Sequence, residues 1–294
     1  MNDEIFGSCV DMAVLRTTWR LVYCSARQYS SSLQNDPMMS VSNPFQLDGR
    51  FALITGGSRG LGRVFAETLA QAGASIVIVS RDEERCRSVA QELEQCFKRP
   101  MYAFGCDVAR EDQVNALFRA VDSSVPHVDI LINSAGLNRR NPIADLQVED
   151  WDDVVDANLK APFLMARKFG PPMAERGWGR IIHLGSILSA IGIPGRTPYA
   201  ASKAGLLGLT RTLALEWATR NVTVNALCPG PFKTDMNLEL TRDPVRFQEF
   251  VQKIPMGRWG ELTELTGPIL FLASEASSYM TGQTLFIDGG WTAQ

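Results

Sequence analysis

Histidine is almost absent: the 294-residue chain has two, His127 and His183. The six cysteines, Cys9, Cys24, Cys86, Cys96, Cys106 and Cys228, form no C-x-x-C pair. A zinc site draws on clustered cysteine and histidine, so no metal is expected. Nor is a disulfide framework needed in a chain this long. A thiol inside an apolar run such as "NALCPG" behaves as a small hydrophobe, which suits a reducing cytoplasm. An excess of one charge is lacking too: 29 lysines and arginines face 32 acids, for a net charge of −3. That balance gives no general electrostatic reason to bind nucleic acid or an anionic membrane. The N-terminal patch "MAVLRTTWRLVY" is interrupted by Arg16 and Arg20 and is too short to span a bilayer. The partners left are a small molecule or another copy of the chain.

Residues 1–45 mix serine, polar residues and proline with no sustained period, and read as a poorly ordered leader before an organised domain over 46–294. An organellar transit peptide is rich in arginine and serine and poor in acids. Asp3, Glu4 and Asp11 depart from that pattern, so a cytoplasmic protein is expected, with organellar targeting left open. Met38 and Met39 stand just before the organised region, so start-site choice is a second account of the leader. N-terminal sequencing that finds residues before Met38 in natively expressed protein rejects it.

With 45% hydrophobic residues the chain can bury a large core. From Asp48 onward, apolar runs ending in small or polar residues alternate with helical patterns and show no short repeat: "RFALITGG", "ASIVIVSR", "MYAFGCDV", "VDILINSAG", "GRIIHLGS", "NVTVNALCPG" and "TLFIDGG". Continuous apolar strands separated by helices predict one α/β domain, a Rossmann-type doubly wound parallel sheet of about seven strands with helices on both faces. Ligands of such sheets bind beyond the carboxyl ends of the strands.

The first strand ends in "TGGSRGLG", which places Gly56, Gly60 and Gly62 before a helix. Missing side chains there let a backbone approach a pyrophosphate at the helix N-terminus. The spacing is T-G-x-x-x-G-x-G rather than the commoner G-x-G-x-x-G. The second strand ends in "SRDEE". An acidic side chain roughly 20 residues on from the glycines would meet a free ribose 2′-hydroxyl; Ser80 and Arg81 stand here instead. A guanidinium suits a 2′-phosphate, and Arg59 in the glycine loop can approach the same group. NADP(H) is therefore favoured over NAD(H), which stays open. Asp82, directly after Arg81, is a candidate to neutralise it, and both arginines have a plainer reading as solvated surface charges.

In "TPYAASKAGLLGLTRTLALEW", Tyr199 and Lys203 are four residues apart and share a helix face. A ketone reduced by hydride develops negative charge on oxygen and needs a proton. Tyrosine, with an ordinary pKa near ~10, is a reluctant base in the reverse direction. A lysine beside it favours the phenolate.

These motifs occur in a fixed order: the glycine loop, Asp107 and Val108, "NSAG" from Asn133 through Ala135 and Gly136, Asn158, Ser186, Tyr199-x-x-x-Lys203, and "PGPFKT" from Pro229 to Thr234. In that order the chain resembles the classical short-chain dehydrogenase/reductase family over almost everything from about Phe45 to Gln294. Ser134 departs from it, where the family pattern usually has a second asparagine, and puts in doubt a contact near the cofactor.

The resemblance implies that Tyr199 transfers the proton, and that Lys203 lowers its pKa and holds the nicotinamide ribose. It also implies that Ser186 binds the substrate oxygen and that Asn158 holds a water linking Lys203 to solvent. The cofactor contacts it implies are Gly56, Ser58, Arg59, Gly60, Leu61, Gly62, Ser80, Arg81, Asp107, Val108, Asn133, Ala135, Gly136, Tyr199, Lys203, Pro229, Gly230, Phe232 and Thr234. Substrate contacts are expected from Arg139, Arg140, Ser186, Leu188, Arg196 and Tyr199, and from the variable segment "MNLELTRDPVRFQEF" over 236–250, the arginines being suited to a carboxylate. Each arginine also has a reading as a surface charge.

Within the family, "RIIHLGSILS", "CPGPFKTDMN" and "PMGRWGE" look most like gluconate 5-dehydrogenase-type reductases, with 3-oxoacyl-carrier-protein reductases as the alternative. A reading of another class is a non-catalytic, cofactor-sensing or scaffold protein. The apolar residues around the Tyr199 helix, and the resemblance, imply a homotetramer.

Overall fold

A computed structural model describes residues 43–234 and 244–294. Residues 1–42 of the leader, and most of the segment after Thr234 from which substrate contacts were also expected, lie outside the described residues.

Seven parallel strands form one sheet: β1 Phe51–Thr55, β2 Ser75–Ser80, β3 Met101–Gly105, β4 Ile130–Asn133, β5 Gly179–Leu184, β6 Val222–Pro229 and β7 Thr284–Ile287. Their spatial order is β3-β2-β1-β4-β5-β6-β7. The expected doubly wound sheet is present. The helices are α1 Gly60–Gln71, α2 Glu83–Phe97, α3 Glu111–Ser124, α4 Val148–Val155, α5 Ala161–Arg176, α6 Thr197–Trp217, α7 Pro244–Val251 and α8 Thr266–Ala273. Among the described residues, no helix is long and apolar enough to cross a membrane.

Both faces of the sheet are covered, which is why the strands read as unbroken apolar runs. Successive residues still divide between the two faces. Ala52 and Ile54 of β1 pack with Phe65 and Leu69 of α1 and with Ile269 and Leu272 of α8. Leu53 between them packs on the other side with Leu164, Met165 and Phe169 of α5. Order in the sheet reverses between β1 and β4, which pair in register from Ala52↔Ile130 to Thr55↔Asn133. The chain leaving β1 turns one way and the chain leaving β4 the other, so a crevice opens above these two strand ends.

The opposite end of the sheet is closed by paired charges. Arg180, near the start of β5, is fully buried. Its guanidinium donates to the carbonyls of Ser274 (3.1 Å) and Gly179 (2.9 Å) and to Glu275 (3.1 Å). Trp178 lies between two guanidiniums, with the Arg50 Cζ 3.6 Å and the Arg180 Cζ 4.4 Å from its ring centroid. Buried Asp129 accepts from the Phe51 amide and pairs with Arg50 and His127.

Candidate active site

A cleft of about 1320 Å³ lies over the carboxyl ends of the strands. On one side it is lined by Gly56, Ser58, Arg59, Gly60, Leu61 and Gly62, by Ser80 and Arg81, and by Asp107 and Val108. Ala135, Gly136, Ser186, Leu188, Arg196 and Tyr199, with Pro229, Gly230, Phe232 and Thr234, line the rest. Most residues singled out in the sequence therefore meet around one space.

The glycine loop fits a dinucleotide by its backbone. A Cβ on Gly62 would stand 2.3 Å from the Gly56 carbonyl oxygen, so α1 packs against the loop as only glycine permits. Gly60 has φ +54, and a Cβ built on it meets nothing within 4 Å. The first turn of α1 thus offers backbone amides to an open space, which suits a pyrophosphate.

At the end of β2, the Ser58 hydroxyl donates to the Ser80 hydroxyl at 3.1 Å, fixing loop and strand together. Asp82 caps α2 by accepting from the Arg85 amide at 3.0 Å. It does not neutralise Arg81: Arg59 and Arg81 make no ion pair among the described residues. Arg85, in the first turn of α2, brings a third guanidinium to the same wall, and sequence reasoning missed it. The local signal was its position four residues after Arg81 on a helix that starts at the strand end. Asp107 accepts from the Ala109 amide and shapes the turn after β3.

Asn133 was expected at the cofactor. It is buried and does not line the cleft; its side chain meets His183 Nδ1 at 3.1 Å. The register Asn133↔His183 between β4 and β5 puts the two side chains together beneath the site. Burial, reinforced by the Lys203 charge, lowers His183 to about 3, so the ring is neutral at working pH. Next to Asn133, the Thr55 hydroxyl accepts from the amides of Ser134 and Ala135, each at 3.1 Å, and holds the turn without the usual second asparagine.

Tyr199 and Lys203 come from the first turns of α6, whose start is favoured by Pro198. Tyr199 faces the cleft beside Ser186; Lys203 is buried behind that wall. The Lys203 ammonium donates to the Leu184 carbonyl at 2.6 Å and stands 5.6 Å from the Tyr199 ring centroid. Burial lowers Lys203 to about 8. Burial raises the Tyr199 phenol above its ordinary value, while the Ser186 hydroxyl and the charges of Arg196 and Arg140 work against that rise. Arg196 and Arg140 thus favour the phenolate here, two cations to which the sequence had not given that task.

Asn158 sits in one π turn, Asp156–Lys160, that joins α4 to α5. Its side chain accepts from the Leu137 amide (2.9 Å) and donates to the Leu137 carbonyl (2.9 Å) and the Ser202 hydroxyl (3.1 Å). Both amide protons are committed, so the side chain acts as a clamp between the loop after β4 and α6. The expectation that it carries a water for Lys203 does not extend to these side-chain bonds. Gly136 lies between the two residues: a Cβ there would be 2.7 Å from Asn158 Oδ1 and 3.8 Å from Lys203 Nζ.

Of the arginines expected at the substrate, Arg196 and Arg139 line the cleft and Arg140 is not among its lining residues; Arg139 is also paired with Asp150 (3.4 Å) and Asp153 (3.1 Å) on α4. Phe250, from the segment after Thr234 expected at the substrate, and Trp259 line the cleft from the C-terminal part of the chain, and nothing in its local sequence marks Trp259 for the site.

A doubly wound sheet with a glycine cradle, a tyrosine and serine in the cleft wall and a buried lysine behind them defines a dinucleotide-dependent oxidoreductase acting on CH–OH groups. The family model described as enoyl-(acyl carrier protein) reductase matches residues 56–292. A 3-oxoacyl-[acyl-carrier-protein] reductase of Aquifex aeolicus is 36% identical, the match covering 83% of this chain and 98% of that protein. The gluconate 5-dehydrogenase of Gluconobacter oxydans is 37% identical over 86% of this chain and 99% of its own. The crystal structure of a gluconate 5-dehydrogenase from Burkholderia cenocepacia in complex with NADP and tartrate matches with TM-score 0.82 and 40% identity, covering 86% of this chain and 98% of that one. The chain belongs to the short-chain dehydrogenase/reductase family.

Proposed function

We propose that this protein is an NADP(H)-dependent oxidoreductase interconverting a secondary alcohol and a ketone on a small sugar acid, with residues 46–294 as the catalytic unit. The observation that carries the reading is a guanidinium in the cleft wall: Arg196 lines it with Ser186 and Tyr199, and the charges of Arg196 and Arg140 bear on the phenol. A carboxylate-bearing substrate matches that field. Arg59, Arg81 and Arg85 around the end of β2 support a 2′-phosphate on the cofactor, as do relatives crystallised with NADP.

When bound, the nicotinamide dinucleotide supplies or receives the hydride. Ser186 and Tyr199 hold the carbonyl oxygen, and Tyr199 gives its proton as negative charge develops there. Lys203, charged below about pH 8, supplies a positive field from behind the wall and would hold the cofactor ribose. Asn158 keeps the Leu137 loop and α6 at fixed spacing. Because burial raises Tyr199, the phenol stays protonated through neutral pH, which suits reduction; oxidation is expected to quicken in alkali.

The test is NADPH oxidation, with NADH in parallel, against 5-keto-D-gluconate, related keto acids and an acetoacetyl thioester. Turnover of a keto-sugar acid with NADPH supports the reading. Preference for the thioester moves the enzyme to acyl-chain reduction, a reaction named for several relatives at 36–38% identity.

Assembly as a homotetramer is part of the proposal. Val148 and Trp151 of α4, Phe163 of α5 and Leu215 of α6 are exposed, Leu215 by 81%. Light scattering that gives a monomer at micromolar concentration counts against it. The described cysteines are free thiols, which supports a cytoplasmic setting.

A further inference from the structure

Arg196 occupies the turn that leads into α6, directly after Gly195, whose φ is +73. A Cβ on Gly195 would stand 3.7 Å from the Asn141 carbonyl oxygen, so this turn lies against the loop that carries Arg140. Arg196 thereby joins the cleft wall with Ser186, Ile193 and Tyr199. It precedes Tyr199 by three residues, the spacing that puts side chains on one face of a helix.

The charge of Arg196 is not met by a carboxylate among the described residues. The group that acts on it is another cation: burial and then the Arg140 charge lower its pKa to about 10. Two like charges partly removed from water destabilise one another, and an anion placed between them reverses that cost. The neighbouring positive charges differ. Arg139 is matched by Asp150 and Asp153, and Lys160 is matched by Asp156 at 2.7 Å. The acids on the α4 side of the cleft are therefore already paired, and the unmatched guanidinium is the one beside the phenol.

We infer that Arg196 is the specificity-determining residue of this site, receiving a carboxylate carried by the same small molecule whose carbonyl oxygen rests on Ser186 and Tyr199. The assignment rests on the keto-acid reading above and adds to it the one side chain that does the selecting. A planar guanidinium can take the carboxylate through two parallel hydrogen bonds, which fixes the direction of the substrate as well as its charge. Occupancy also has an effect on the phenol. Once a carboxylate neutralises Arg196, a positive charge that favoured the phenolate is cancelled, and Tyr199 is held in the protonated form a proton donor needs. A neutral carbonyl compound leaves the arginine repulsion in place.

The test compares 5-keto-D-gluconate with its C1 amide, which keeps shape and hydroxyls but not the charge, in the wild type, Arg196→Gln and Arg196→Lys. In the wild type the acid is preferred. In Arg196→Gln the ratio of kcat/KM for acid over amide falls about 100-fold, mostly through KM of the acid, consistent with loss of a charge-assisted contact. Arg196→Lys restores part of the ratio. Quenching of NADPH fluorescence reports that each variant is folded and binds cofactor. As a readout without turnover, D-gluconate added to the cofactor-loaded protein raises Tm of the wild type and not of Arg196→Gln. A wild type that accepts the acid, with an unchanged acid-to-amide ratio in Arg196→Gln, overturns the inference and leaves the proposed function standing. A wild type that ignores the acid and reduces the thioester overturns both.

Discussion

Strand β5 carries polar machinery at both ends, and the two ends are built on opposite rules. At its start, Arg180 is buried and fully matched by carbonyls, Glu275 and the face of Trp178. Just past its end, Ser186 opens into a cleft where Arg59, Arg81 and Arg196 make no ion pair among the described residues. A charge matched within the fold serves the fold. One left unmatched, in the same molecule and under the same solvent, is kept for something that arrives from outside. Substitutions at the first end should therefore cost stability, and substitutions at the second should cost activity or selectivity.

The largest effect is expected at the cleft end. Tyr199→Phe removes the proton donor, and turnover should fall on the order of a thousandfold, while NADPH fluorescence titration still shows binding. Retained activity would sink the mechanism. At the closed end, Arg180→Met leaves two carbonyls without a donor and should lower stability by about 3 kcal/mol. Urea unfolding measures that loss, and kcat of the folded fraction should hold; a variant of wild-type stability with reduced kcat would break the comparison. Third, replacing Arg59 and Arg81 together with alanine should raise KM for NADPH by about 10- to 100-fold and leave KM for NADH nearly as it was. An equal rise for both cofactors would mean the arginines do not read the 2′-phosphate.

The smallest effect is confined to acid. His183, lowered to about 3 by burial and the Lys203 charge, binds a proton in the unfolded chain near ~6.5 but not in the native one. Its contribution to stability is full above ~6.5 and is lost as pH falls toward 3. His183→Asn, which can still meet Asn133, should flatten that decline when thermal unfolding is followed from pH 6.5 to 4. An unchanged acid limb would show that another group governs it.

The strands were legible because burial on both faces leaves no polar positions to blur the runs. Tyr199 and Lys203 were legible because helix periodicity alone brings them together. Partner choice across the fold was not. Nothing local to "NSAG" shows that Asn133 turns to a histidine on β5, because that meeting is made by sheet register. Nothing in "LNRR" shows that Arg139 pairs with Asp150 and Asp153, which only the packing of α4 brings within reach. Trp259 comes to the cleft through the C-terminal part of the chain, without a spacing to announce it. Residues 1–42 of the leader, read from composition, and residues 235–243 lie outside the described residues.

The π turn at Asp156–Lys160 has a consequence for how this sequence can vary. An α-helix rotates about 100° per residue, and a π turn inserts one residue into that count. Val154 before the turn and Met165 after it are both buried, yet their phases differ from those of an unbroken helix, and Asn158 reaches Leu137 and Ser202 from the residue between. Deleting one residue there would mend the helix and leave both flanks on the faces they now bury, but would take away the bulge that carries Asn158 to Leu137 and Ser202. The stretch from Val154 to Met165 can therefore drift by substitution on its outer side but is fixed in length, and insertions or deletions in viable descendants of this chain should fall elsewhere.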